Sequence, residues 1–91
     1  MQLRWTLEAA ADLERIADYL FDHTPDHAAR LVDALYEAPA TLVTFPNRGR
    51  LGKKQGTREL TMSPLPYIVV YTVRQDAVYV VRILHGAQQW P

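Results

Sequence analysis

The chain has 91 residues, of which 48% are hydrophobic and 22% charged, and its formal net charge at pH 7 is zero. This composition excludes a disordered or fibrous chain and is typical of a small globular protein, so we expect one domain over residues 1–91. The absence of cysteine excludes disulfides and thiolate metal sites. The first twenty residues contain six charged side chains and no long apolar run, so we expect no signal peptide, no membrane span and a cytoplasmic location.

The chain begins with the pattern of a short strand followed by a helix. Residues 2–5 (QLRW) alternate polar and apolar side chains, and Thr6 is a suitable N-cap for the helix after them. Apolar residues then recur at helical spacing, which predicts an amphipathic helix. We expect the acidic residues between them, Asp12 included, to face solvent. The apolar stripe consists of Leu13, Ile16, Ala17, Leu20 and Phe21.

A second helix is predicted to start at Pro25, because the first helical position needs no amide donor. Leu31, Val32 and Leu35 continue the helical spacing, so the two helices form a hairpin with one shared buried side. Pro39 should end or kink this second helix.

The second half of the chain changes to the period of strands. Residues 57–63 alternate, with Glu59 on a half-solvated side, while residues 67–73 are apolar on both sides and residues 78–85 follow a short turn. The prediction is an α+β fold in which a short first strand and a helical hairpin precede a three-stranded antiparallel meander, with the helices packed on one side of the sheet.

The neutral total conceals an uneven distribution of charge. Residues 1–45 carry eight acids and three bases, whereas residues 46–91 carry seven bases and two acids. Five of these bases lie in residues 48–58 (RGRLGKKQGTR), here called the basic segment, which has three glycines and no acid. Such a run is either a solvated flexible loop or a surface for an anionic partner. Its cations are Arg48, Arg50, Lys53, Lys54 and Arg58.

Several of these stretches together resemble the RelE/ParE superfamily, the toxins of bacterial type II toxin–antitoxin systems. The resemblance rests on "FPNRGR", "GTREL", "PYIVVYTV" and "VYVVRILHGAQQWP", in this order and spacing. It implies a toxin that inhibits bacterial growth and a cognate antitoxin that neutralises it in a hetero-oligomer. RelE-like members cut mRNA on the ribosome as metal-independent endoribonucleases, whereas ParE-like members inhibit DNA gyrase. A degenerate member would be an inactive toxin or a plain binding module.

Cleavage of RNA by its own 2′-hydroxyl needs proton carriers and cations that stabilise the charge on phosphorus. The catalytic candidates are Arg58 and Arg82, as charge stabilisers on strands, and His85, as an acid or base. Strand alternation puts Arg82 on the side of Val80 and Leu84, and His85 on the other, unless the strand ends near Leu84. Arg82 within an apolar strand also needs a counter-ion, and Glu59 is the candidate for a structural pair.

The remaining candidates are residues for binding an anion or a target. Tyr67 and Tyr71 could pack in the core or stack on bases, and Trp90 could cover the core edge or meet the antitoxin. Relative to RelE-like nucleases the chain ends differently, in "HGAQQWP", which favours gyrase inhibition over mRNA cleavage. The full set of binding candidates is Arg48, Arg50, Lys53, Lys54, Glu59, Tyr67, Tyr71 and Trp90.

We predict no metal and no cofactor. The acids of the first half are spread along helices, and His23 and His27 lie on either side of the break at Pro25, so neither set forms a ligand group. No glycine-rich phosphate loop follows a strand.

Overall fold

The computed structural model describes residues 1–86 and 88–91 and contains one five-stranded sheet. Its strands are β1 (Gln2–Trp5), β2 (Arg50–Leu51), β3 (Arg58–Thr61), β4 (Tyr67–Arg74) and β5 (Ala77–His85). Its helices are α1 (Leu7–His23), α2 (Pro25–Glu37) and α3 (Thr41–Thr44), with a 3-10 turn over Ala38–Ala40. The predicted α+β fold, with its first strand, helical hairpin and antiparallel meander, is confirmed.

The strand order across the sheet is β1-β5-β4-β3-β2. β3, β4 and β5 form the antiparallel meander, and β1 adds to it in parallel beside β5. β2 is a two-residue edge strand inside the basic segment, where the sequence predicted only a loop. Two residues are too few to show an alternating pattern, so this strand had no sequence signal.

The helices start and end for the local reasons that the sequence suggested. The Thr6 hydroxyl accepts a hydrogen bond from the Ala9 amide and caps α1, and α2 begins at Pro25. Helix α2 gives way to the 3-10 turn just before Pro39, as predicted. None of the helices among the described residues combines the length and the apolar character needed to cross a bilayer.

The core lies between the helices and one face of the sheet, here called the helix-side face. Ala9, Leu35 and Leu42 contribute from the helices, and Leu60, Val69 and Ile83 form one cross-strand row that packs against them. Phe21, expected in this core, is 52% exposed. It lies in the last turn of α1, on the exposed side of the helix next to the buried Leu20.

A β-bulge in β5 changes which side chains share a face. Val70 pairs with Arg82 and Tyr71 pairs with Val80, so Val81 is an extra residue without a partner on β4. Such a residue shifts the alternation of the strand by one position. Val80 therefore packs in the core, while Arg82 points to the other side. The prediction that Arg82 and Val80 share a side was wrong, because alternation holds only in a regular strand.

Candidate functional site

The basic segment is attached to the sheet at its start. The buried Tyr71 hydroxyl donates to the Pro46 carbonyl (2.6 Å) and accepts from the Gly49 amide (2.9 Å). Gly49 is required here, because a β-carbon would lie 2.7 Å from the Tyr71 ring and 2.9 Å from the Glu59 carbonyl oxygen. Tyr71, which the sequence suggested as a binding residue, is fully buried in the core and holds the start of the basic segment through its hydroxyl.

The far end of the segment is a closed hairpin loop rather than a free chain. The Gly52 amide donates to the Thr57 carbonyl (2.9 Å), and the Thr72 hydroxyl of β4 donates to the Gly56 carbonyl (2.7 Å). Gly56 has a φ of +84°, a left-handed conformation that favours glycine. The loop that carries Lys53 and Lys54 is thus held against the sheet at both of its ends.

One cation of the segment has a carboxylate partner. The Arg50 guanidinium lies 3.0 Å from the Glu59 carboxylate, and Glu59 is buried although the sequence predicted a half-solvated position. Glu59 is therefore occupied by Arg50 across the β2–β3 pair and is not the counter-ion of Arg82, as the sequence had suggested.

The other four cations of the segment have no carboxylate in ion-pair range among residues 1–86 and 88–91. Arg48 donates to the Thr41 hydroxyl (2.9 Å), and Arg58 donates to the Gly49 carbonyl (2.7 Å). The Lys54 ammonium lies 5.8 Å from the centre of the Trp90 ring, which brings the C-terminal residues back to the loop. The segment consequently presents uncompensated positive charge at the surface.

Arg82 makes a buried ion pair with Asp12 of α1. Its Nε and Nη2 atoms lie 2.7 and 3.1 Å from the two Asp12 carboxylate oxygens, and the Ile83 amide donates to the same carboxylate at 2.9 Å. The Asp12 side chain is 2% exposed and that of Arg82 is 18% exposed. Asp12 was predicted to face solvent, and that prediction was wrong.

The strand order explains why Asp12 is needed at this place. β1 ends at Trp5, opposite Val80, so this edge of β5 has no neighbouring strand beyond Val80 among the described residues. Thr6 bonds to the carbonyls of Val80 and Val81, and Asp12 accepts the next free amide, that of Ile83. The first turns of α1 therefore replace β1 as the hydrogen-bonding partner of β5.

The ion pair favours the charged form of both Asp12 and Arg82. Burial alone would raise the pKa of Asp12, but the hydrogen bonds from Arg82 and Ile83 and the charge of Arg82 outweigh it and hold that pKa below its usual value. The hydrogen bond to Asp12 likewise raises the pKa of Arg82. Arg15 also donates to the same carboxylate, as a third donor residue beside Arg82 and Ile83.

His85 lies at the end of β5, on the helix-side face. Its ring meets the Tyr67 ring edge-on at a centroid distance of 6.0 Å, and it lines a groove of about 430 Å³ with Arg15 and Leu20 of α1. Burial raises the pKa of the Tyr67 hydroxyl, and the nearby Tyr19 hydroxyl raises it further. Arg82 and His85 point to opposite faces of β5, as strand alternation predicted, so the three catalytic candidates do not converge as a regular site.

No three His, Asp or Glu residues of the described chain lie close enough together to hold a metal ion. The exposed cations of the basic segment can bind anions, whereas Arg82 is held by the internal acid Asp12.

Comparison with known proteins decides the family. Residues 3–90 match the family described as the ParE toxin of the type II toxin–antitoxin system parDE. This chain belongs to the ParE toxin family.

Individual relatives agree over nearly the full length. The chain is 39% identical to protein Y4kP of Sinorhizobium fredii, covering 99% of this chain and 93% of that one. It is 40% identical to toxin RelE2 of Caulobacter vibrioides, over 96% of this chain and 97% of that one. A solved structure of the chromosomal ParDE toxin–antitoxin system from P. aeruginosa matches with a TM-score of 0.85 and 31% identity, over 93% of this chain and 95% of that chain.

This ParE-family chain is thus the toxin component of a type II toxin–antitoxin system, as its sequence motifs indicated. Its relatives carry both ParE and RelE names, so similarity alone leaves the molecular target open.

The sequence analysis missed the structural role of Asp12, although the sequence contained a signal for it. Asp12 lies three residues after Ala9 and four before Ile16, which places it on the buried face of α1.

Proposed function

We propose that this toxin inhibits bacterial growth by binding DNA gyrase in the ParE manner, and that it does not act by cutting mRNA. The observation that carries the proposal is the Asp12–Arg82 pair. A cation that stabilises a phosphorane must be free to meet the phosphate, whereas two donors of Arg82 already bind a buried carboxylate.

The other two catalytic candidates add to this argument. Arg58 donates to the Gly49 carbonyl, and more weakly to that of Asn47, so it is engaged at the start of the basic segment. His85 is on the opposite face of β5 from Arg82, so these two side chains do not meet in one site. These positions favour a surface that binds over a site that transfers protons.

The proposed target surface is the exposed part of the basic segment. Lys53 and Lys54 lie in the loop between β2 and β3, both exposed, and Arg48 lies where the segment begins. Their charge is uncompensated, which suits an acidic surface on a protein target and speeds its association. The proposal includes a cytoplasmic site of action, where gyrase is found.

A cognate antitoxin is proposed to silence the toxin as part of a hetero-oligomer. Support comes from the family, whose description names a two-component system, and from the open positive charge that an acidic segment could neutralise. A small open reading frame beside the toxin gene is the source from which this antitoxin would be cloned.

The test runs two assays side by side on the purified toxin. We expect it to block supercoiling by gyrase and to leave mRNA on programmed ribosomes intact, and we expect added antitoxin to restore supercoiling. Cleavage of the mRNA with supercoiling unaffected would establish the RelE-like alternative instead. If neither assay responds and expression leaves growth unchanged, the chain is an inactive toxin.

The variants must separate the surface from the fold. Lys53→Gln with Lys54→Gln removes two exposed charges of the basic segment, and we expect it to weaken gyrase inhibition about tenfold or more. Arg15→Gln with Arg30→Gln removes two charges from the helices and serves as the matched control. Equal inhibition by both double variants would exclude the basic segment as the contact. Arg82→Ala is unsuitable, because it removes the main counter-ion of the buried Asp12 carboxylate and so perturbs the fold.

A further inference from the structure

The face of the sheet opposite the helix-side face, here called the second face, has a cavity of about 330 Å³ that belongs to none of the sites above. It is lined by Thr6, Thr72, Arg74, Tyr79 and Val81. Thr72 and Tyr79 are direct cross-strand partners, and Arg4 of β1 pairs with Tyr79 on the other side. Arg4, Tyr79 and Thr72 thus form one row across three strands, with Arg74 two residues beyond Thr72 on the same side.

Arg4 and Arg74, the two arginines of the second face beside Tyr79, have no carboxylate partner within the described residues. Both are exposed. Within the described part of the chain, Arg4 donates only to the Gln2 side chain, and none of the five cavity residues is acidic. The half-buried ring of Tyr79 therefore lies between two available guanidinium groups.

The cavity is continuous with the basic segment. The hydrogen bond from the Thr72 hydroxyl to the Gly56 carbonyl joins its edge to the β2–β3 loop, and Lys54 of that loop lies over the Trp90 ring. Two groups of cations and rings therefore lie near each other: Arg4, Tyr79 and Arg74 on the second face, and Lys54 with Trp90 at the loop that Thr72 holds. Proteins that bind single-stranded nucleic acid combine cations that follow the phosphates with rings on which the bases stack.

We propose that the second face binds single-stranded nucleic acid, with a base stacked on Tyr79 and the neighbouring phosphates held by Arg74 and Arg4. An acidic peptide would satisfy the arginines but would leave the tyrosine between them without a role. A duplex would offer its phosphates and keep its bases inside the stack. Arginine at both cationic positions also suits phosphate, because the planar guanidinium binds two phosphate oxygens at once.

This binding is separate from the proposed gyrase inhibition, because it is measured on the toxin and an oligonucleotide alone. The probe is a fluorescein-labelled oligopyrimidine of about ten nucleotides, in the range of lengths that one small domain covers. Anisotropy is measured with single-stranded DNA, single-stranded RNA and a duplex of equal length. We expect either single strand to bind more tightly than the duplex, and the tighter of the two to identify the sugar preferred.

The variants test each contact. Tyr79→Ala should weaken binding of the single strand about tenfold or more, while Tyr79→Phe keeps the ring and should bind like the wild type. Arg74→Gln should lower the slope of log affinity against log salt by about 0.7 in magnitude, the share of one phosphate on a single strand. Arg30→Gln on α2 removes one charge from the opposite layer and should leave both quantities unchanged. Circular dichroism checks the fold of each variant, and the exposed Arg74 keeps the test decisive should Tyr79→Ala unfold.

Three results would overturn the inference. One is a duplex that binds as tightly as the single strands, and another is an Arg74→Gln variant that behaves like Arg30→Gln. The third is displacement of the oligonucleotide by a poly-glutamate peptide at equal charge concentration, which would identify an acidic protein as the occupant.

Discussion

Arg82 and the basic segment both supply positive charge to the second half of the chain, yet the fold treats them in opposite ways. Arg82 is mostly buried and bonded to an acid 70 residues earlier in the chain, whereas Arg48, Lys53 and Lys54 are exposed with no carboxylate partner among the described residues. The first cation stabilises the protein, and the others remain available to a partner. A charge counted in the sequence becomes a functional charge only where the fold leaves it uncompensated.

The largest effect is expected when the Asp12 carboxylate, the partner of Arg82, is removed. Asp12→Ala should lower the free energy of unfolding by about 3 kcal/mol, because it leaves Arg82 without a counter-ion and the Ile83 amide without an acceptor. Urea unfolding measures this loss. Arg15→Ala, which removes a 65% exposed partner of the same carboxylate, should cost less than about 1 kcal/mol. Equal losses in the two variants would show that the buried pair contributes no more than a surface pair.

The attachment of the basic segment is tested by Tyr71→Phe. We expect a loss of about 1–3 kcal/mol in the free energy of unfolding, because the Pro46 carbonyl and the Gly49 amide lose their partner in a buried position. Tyr67→Phe is the matched control, since that buried tyrosine has no hydrogen bond through its hydroxyl among the described contacts. A Tyr71→Phe variant as stable as the control would mean that the segment is held by its strand pairing alone.

The pH dependence of stability should follow Asp12. Its pKa in the folded protein lies below the unfolded value of about 3.9, so the pair contributes fully above that pH and loses its contribution as the pH falls through the folded pKa. We expect urea midpoints to fall between roughly pH 5 and pH 2 in the wild type and to fall less in Asp12→Asn, which has no carboxyl group to protonate. Parallel curves for the two proteins would assign the acid sensitivity to other carboxylates.

The smallest effect is expected at the partly exposed pair of the basic segment. Arg50→Gln should change the free energy of unfolding by less than about 1 kcal/mol, because Arg50 is 60% exposed, water screens its charge, and a glutamine amide can still donate to the buried Glu59 carboxylate. Thermal unfolding of the wild type and the variant measures this change, and a comparison of low and high salt shows how much of it is electrostatic. A loss as large as that of Asp12→Ala would show that Arg50 stabilises the fold as much as Arg82 does. The basic segment would then not differ from Arg82 in this respect.

The sequence predicted most of the fold because periodicity is a local property. The spacing in α1, the capping Thr6 and the alternating runs of β4 and β5 each depend on neighbours a few residues away. The parts that were missed depend on long-range contacts. Asp12 looked like a surface acid until β1 proved too short to cover β5, and Glu59 looked available until β2 brought Arg50 beside it.

The candidate site was predictable in composition but not in arrangement. The cations of residues 48–58 could be found by inspection, and the family motifs identified a toxin. Which of the arginines is free depends on the partners that the fold supplies, as the different surroundings of Arg82 and Arg48 show.

The extra residue in β5 allows two core side chains that are three residues apart to lie on the same face of the sheet. Val80 and Ile83 both pack in the core, which strict alternation would forbid, and Val81 takes up the difference. If Val81 were deleted, Arg82 would directly follow Val80, and regular alternation would keep Arg82 and Ile83 on their present faces. Relatives that keep the Asp–Arg pair should therefore tolerate the loss of Val81, because pairing with β4 would pass from Val80 to Arg82 without a gap.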